Sequence, residues 1–141
     1  MKINSEQEMV ECGKKLAKEL VSRCSTDGAM VIELVGDVGA GKTTLTRGLA
    51  TGLGVKEAVT SPSFTISKAY ALPRGGKLVH YDFYRLSEPG LMVEDLAENM
   101  QDKRNVVVIE WGESVAEILP EKHLRVEIRY NDDGTREVMA L

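Results

Sequence analysis

Apolar residues recur along the chain in two rhythms, and their order outlines an α/β protein. Met9, Cys12, Leu16 and Leu20 with Val21 follow helical spacing. Ser5, with Glu8 three residues later, reads as a capping box that opens this helix. A turn around 25–28 leads into a short apolar strand over 29–35 that carries Glu33. Residues 36–41 form a glycine-rich loop, and Lys42–Gly52 predicts a second helix with Leu45 and Leu49, then Leu53, on one side. Strand, loop and helix in this order open a βαβ-type unit.

The second half repeats the alternation. Ser61-Pro62 marks a turn before a strand over 64–70, and a turn over 73–76 precedes a strand over Lys77–Asp82. Val93, Leu96 and Met100 place a helix over 89–100. Residues 106–109 are a continuous β-branched run, the pattern of a strand buried on both faces. A short helix over 114–119 stops at Pro120. Leu124, Val126, Ile128 and Tyr130 alternate with Arg125, Glu127 and Arg129, so this strand has one wet face. Asn131-Asp132-Asp133-Gly134 is a hairpin loop, and 135–141 returns as the last strand. The expected fold class is α/β and P-loop NTPase-like. It has a mostly parallel central sheet, helices on both faces and an antiparallel C-terminal edge hairpin.

Composition narrows the picture. A length of 141 residues suits one domain over 1–141. With 43% hydrophobic and 28% charged residues, the chain has a globular rather than a disordered composition. Its net charge of -4 makes it a poor direct binder of nucleic acid, whose phosphates need a basic footprint. Cys12 and Cys24 fall in or near the first helix without metal-binding spacing, and read as reduced thiols. The polar start of the chain, with Lys2, Asn4, Ser5 and Glu6, has no apolar signal core, and no apolar run spans a bilayer, so a cytoplasmic protein is expected.

The chemistry centres on Gly36-Asp37-Val38-Gly39-Ala40-Gly41-Lys42-Thr43, which matches the phosphate-loop pattern G-x-x-x-x-G-K-[ST]. Its glycines let successive backbone N–H groups turn inward toward phosphates. The following helix adds its positive end. Lys42 supplies a cation for the outer phosphates, and Thr43 a hydroxyl for Mg²⁺. Such a window arises by chance about once in tens of thousands, and the flanking strand and helix make chance poorer still as an explanation.

A phosphate loop of this kind needs a carboxylate at the end of a neighbouring buried strand. Glu110 directly follows the apolar run over 106–109; the competing reading is a strand-end carboxylate in solvent. Asp82 ends another strand, as a base, a water positioner or a metal-shell ligand, or else as a turn cap. Ser61-Pro62-Ser63-Phe64-Thr65 lies where nucleotide switches place a hydroxyl-bearing loop, although an ordinary X-Pro turn reads the same. Trp111 packs on the site, on a partner or in the core; His80 and His123 read as structural.

The phosphate loop through Thr44, then Ser61 to Thr65, then His80-Tyr81-Asp82-Phe83-Tyr84-Arg85, then Ile109-Glu110-Trp111, resemble in order and spacing the TsaE family. These are the bacterial ATPases of tRNA threonylcarbamoyladenosine biosynthesis. The likeness runs from the first helix to the C-terminal hairpin. It implies hydrolysis of ATP with Mg²⁺ at an assembly of TsaB and TsaD, which themselves transfer the threonylcarbamoyl group to the adenosine beside the anticodon. Contact with tRNA is then only indirect. Carried onto this chain, the resemblance implies nucleotide binding by Asp37, Val38, Gly39, Ala40, Gly41, Lys42, Thr43 and Thr44. It implies that Thr43 and Glu110 hold the metal, that Asp82 is the second functional carboxylate, and that Trp111 lies beside the site. It also implies base contacts from Ser5 and Arg136. One departure stands out: the family's switch loop reads Ser-Pro-Thr, whereas this chain has Ser61-Pro62-Ser63. Ser63 keeps the hydroxyl and loses a methyl group.

Two other functions fit the same residues. In a small-molecule or nucleoside kinase, Asp82 with Arg85 would accept a substrate hydroxyl proton, but no arginine-rich lid segment accompanies them. In a nucleotide sensor, the loop would bind without hydrolysis.

Overall fold

The computed structural model describes residues 1–22, 28–37, 39–62, 66–84 and 90–140. Cys24, Val38, Ser63, Phe64, Thr65, Arg85, Pro89 and Leu141, all named in the sequence expectations, lie outside the described residues. The elements run in the order β1 (Lys2–Ile3), α1 (Glu6–Ser22), β2 (Met30–Val35), α2 (Lys42–Gly52), β3 (Ser67–Ala71), β4 (Lys77–Asp82), α3 (Leu91–Gln101), β5 (Val106–Glu110), a 3₁₀ helix (Gly112–Ile118), β6 (Leu124–Tyr130) and β7 (Arg136–Ala140).

The β-branched run of β5 lies inside the sheet, between β2 and β4, and pairs with both in parallel. Its side chains alternate between two cores. Val106 and Val108 join the core beneath α1 and α2, together with Ile32, Leu34 and Leu78. Val107 and Ile109 join a second core with Val31, Val79 and Tyr81, covered by Leu96 of α3 and Val115 of the 3₁₀ helix. Helices therefore cover both faces, and a strand in this position must be apolar throughout.

The seven-stranded sheet has the order β1-β7-β6-β2-β5-β4-β3. The four strands β6, β2, β5 and β4 are parallel, as expected. The hairpin β6–β7 is antiparallel, but it is not the edge: β1 pairs antiparallel with β7 outside it. Two residues, Lys2 and Ile3, are too few to show a period. At the other margin β3 also pairs antiparallel, with β4. The strand expected over 64–70 occupies Ser67–Ala71, and the short helix expected over 114–119 is a 3₁₀ turn starting at Gly112.

The cap of α1 forms as expected in one half. The Glu8 backbone N–H donates to Ser5 Oγ at 3.1 Å. The Glu8 carboxylate accepts from the Asn4 N–H rather than from Ser5 itself, one residue earlier than in the reciprocal box. Among the described residues, no helix is long and apolar enough to cross a membrane.

Candidate functional site

Parallel strands bring their C-terminal tips to one edge of the sheet, the usual place for a ligand crevice in such folds. Here β2 leaves that edge into the phosphate loop, and α2 starts from the loop at Lys42. Gly41, the residue before α2, has φ 110°, a left-handed conformation that glycine adopts without a steric penalty. Among the described residues no side chain caps this helix start, and N–H groups at such a start suit an anion. Gly36 meets a different demand: a Cβ there would lie 2.7 Å from the Ile128 carbonyl oxygen of β6.

Register sets the two carboxylates side by side. Asp82 on β4 pairs with Glu110 on β5, and Glu110 pairs with Leu34 on β2. Both are buried, at 8% and 3% exposure. Both line a cleft of about 770 Å³ with Lys42, Thr43, Thr44, Ser61, Trp111 and Arg136. Gly39 and Gly41 form part of its wall. Asp82 also caps a turn, because its Oδ1 accepts the Tyr84 N–H at 2.9 Å. Asp82 is therefore a turn cap whose side chain also lines the cleft.

Lys42 is held from three sides. Its Nζ donates to the Gly36 carbonyl at 2.5 Å, lies 4.0 Å from Glu110 Oε1 and stands 4.1 Å from the centre of the Trp111 ring. Burial pushes the Lys42 ammonium below its ordinary value, and the negative charges of Glu110, Asp82 and Asp37 oppose that shift. The Trp111 ring packs in turn on Tyr84, with ring centres 4.8 Å apart. To stand there Trp111 takes φ 56°. Ile66, whose carbonyl accepts the Asp82 N–H, has φ 69°. Left-handed backbone is costly for side chains of this size, and the two instances flank the two carboxylates.

The hairpin β6–β7 closes the loop from the other side. The Tyr130 hydroxyl donates to the Gly39 carbonyl. Arg136 Nη2 reaches the same carbonyl at 3.4 Å and the Tyr130 oxygen at 3.2 Å. Arg136 Nε is buried without a hydrogen-bond partner among the described residues.

Most of the sequence-predicted residues thus converge. Asp37 stands in the loop with an exposed side chain, and Ala40 is buried beneath it. Ser5 does not line the cleft; its hydroxyl is spent on the helix cap, and Glu6 and Met9 of the same turn line the cleft instead. Val38 and Ser63 lie outside the described residues. His123 is structural, with Nδ1 at 2.7 Å from the Pro120 carbonyl and Nε2 at 3.2 Å from Glu33. His80 is more than core filling: its Nε2 contacts Glu110 Oε2. Strand alternation puts His80 on the face of Asp82, two residues on, but the contact with Glu110 depends on the register of β4 against β5.

A family model described as "Threonylcarbamoyl adenosine biosynthesis protein TsaE" matches residues 3–138. The tRNA threonylcarbamoyladenosine biosynthesis protein TsaE of Streptomyces coelicolor is 48% identical over 121 residues, covering 85% of this chain and 78% of that protein. The protein of the same name from Haemophilus influenzae is 39% identical over 133 residues, covering 94% and 82%. The crystal structure of Bacillus subtilis YdiB matches with a TM-score of 0.68 at 33% identity, covering 98% of this chain and 80% of that chain.

Proposed function

The chain belongs to the TsaE family of tRNA threonylcarbamoyladenosine biosynthesis, and on that premise we propose that it is a Mg²⁺-dependent ATPase, one domain over 1–141, that works in the cytoplasm as an accessory of the TsaB–TsaD complex. The observation that carries this reading is the pairing of Asp82 with Glu110 on adjacent strand tips, facing the cleft of Lys42 and the phosphate loop. Binding alone needs only the loop and the lysine; two carboxylates at the phosphate end are what hydrolysis adds.

The residues divide the work. N–H groups over 37–44 donate to the phosphates. Lys42 exchanges the Gly36 carbonyl for phosphate oxygens, whose charge opposes the downward effect of burial. The Thr43 hydroxyl and the Glu110 carboxylate are hard oxygen donors suited to magnesium. Bound magnesium would neutralise charge on the phosphates. Asp82 faces the attacking water, and Ser61 and Ser63 belong to the loop that answers the outermost phosphate. Arg136, with Glu6 and Met9 of the first turn of α1, borders the end where the base lies. Tyr84, on Trp111, is 41% exposed and offers TsaB–TsaD an aromatic contact at the cleft mouth. The acidic balance of the chain suits protein partners, with tRNA reached through them.

The test is ATP turnover of the purified chain with and without TsaB–TsaD and tRNA. Weak activity alone, raised by the partners, is expected; turnover indifferent to them would refute the accessory role. Glu110→Gln should keep nucleotide binding and lose about a hundredfold or more in kcat, the scale of a lost acid–base or metal-ordering group.

A further inference from the structure

His80 is fully buried on β4, on the same side of the sheet as Asp82 and Glu110. Its Nε2 meets Glu110 Oε2. A carboxylate only accepts, so Nε2 carries the hydrogen. Nδ1 is buried with no hydrogen-bond partner among the described residues. The ring thus aims its Nε2 at one oxygen of Glu110.

The other oxygen, Oε1, is the one that faces Lys42, at 4.0 Å. A glutamate side chain has several soft torsions, and an unheld carboxylate spreads over their rotamers. With Oε2 pinned from beneath, the carboxylate turns as a unit and presents Oε1 to the cleft. Asp82 has its own restraint, since its Oδ1 accepts the Tyr84 N–H. Each carboxylate is thus oriented by at least one contact from the protein.

We propose that His80 is a positioning residue for Glu110: by donating from Nε2 to Oε2 it holds Oε1 toward the bound nucleotide and its metal. This rests on the ATPase reading above. His80 touches no phosphate and acts only through Glu110. A merely space-filling histidine would be replaceable by any side chain of similar volume.

The test compares His80→Gln, whose amide N–H reaches near the Nε2 position, with His80→Leu, which fills space and donates nothing. Full-length proteins are assayed with MgATP, and folding is followed by thermal melting. His80→Leu should lose about tenfold to a hundredfold in kcat, the usual cost of losing a group that orients a metal ligand. Its KM should stay within about twofold, and His80→Gln should recover most of the loss. Equal kcat in the two folded variants, or a loss confined to KM, overturns the proposal. A second readout needs no turnover. The chain has only two histidines, so ¹⁵N-histidine spectra of the free protein, with His123→Gln for assignment, report the His80 tautomer. A protected Nε2–H that shifts in Glu110→Gln supports the proposal; an Nδ1–H tautomer, or a resonance indifferent to Glu110→Gln, overturns it. If His80→Leu fails to fold, the spectrum decides. An inactive wild-type protein with the expected spectrum would sink the ATPase reading and leave the His80–Glu110 link standing.

Discussion

Lys42 carries the sharpest conflict among the residues of the cleft. It is 6% exposed, and burying an ammonium is costly unless it is paired. The Gly36 carbonyl, Glu110 and the Trp111 ring together compensate. Phosphates offer the same ammonium stronger, fully charged partners. Lys42→Ala should therefore weaken ATP affinity about tenfold to a hundredfold, the worth of one charge-assisted hydrogen bond, and abolish hydrolysis; calorimetric titration and a phosphate-release assay check the two effects. The place of Lys42 and Thr43 in the cleft was readable because it follows from backbone geometry local to the loop. Glu110 was readable because an apolar run ends at it. The contact of His80 with Glu110 was not, because it joins residues 30 positions apart and needs the strand register to be known.

Among the elements, α1 and α2 meet backbone to backbone. A Cβ on Gly13 would lie 2.3 Å from the Leu45 carbonyl oxygen, and one on Gly48 would lie 2.1 Å from that of Val10. Alanine raises helix propensity by at most about 1 kcal/mol over glycine. Forced separation of two packed helices costs about 1–3 kcal/mol, so the clash wins. Gly48→Ala should lower the thermal midpoint, and because Lys42 begins α2, it should also weaken nucleotide binding. The hairpin β6–β7 has a different weak point. The Thr135 hydroxyl, then the Thr135 N–H and Lys2, hold the Asp133 carboxyl down at about 2, from an ordinary 3.8. A depressed carboxylate stabilises the fold above its unfolded value, and that contribution is lost as the pH falls through about 2. Asp133→Ala should melt slightly below wild type at neutral pH, and the difference should shrink between about pH 4 and pH 2. The loop itself was legible from Asn131-Asp132-Asp133-Gly134, but β1 was not, since its pairing with β7 depends on partners more than 100 residues away.

For the whole molecule, the cleft joins three separate parts of the fold: the first turn of α1, the strand tips with the phosphate loop, and the C-terminal hairpin. A ligand that spans them should stabilise the fold as one unit. At nucleotide a hundredfold above Kd the gain is about 2.7 kcal/mol, or roughly 5–10 °C in midpoint for a chain of this size. A melting scan with ATP should show that rise with Mg²⁺ and a smaller one with chelator; no effect of Mg²⁺ would count against Thr43 and Glu110 as metal ligands. The chain's own pattern sufficed for the α/β class, the buried central strand, the phosphate loop and the two strand-tip acids, because each rests on local spacing, glycine geometry or an apolar run with a polar end. Tertiary structure alone decided that β1 takes the sheet margin, that Trp111 lies on Lys42, that Glu6 and Met9 rather than Ser5 line the cleft, and that His80 stands under Glu110. Those are matters of register and side-chain packing between distant segments, and no local rhythm of apolar and polar residues encodes them.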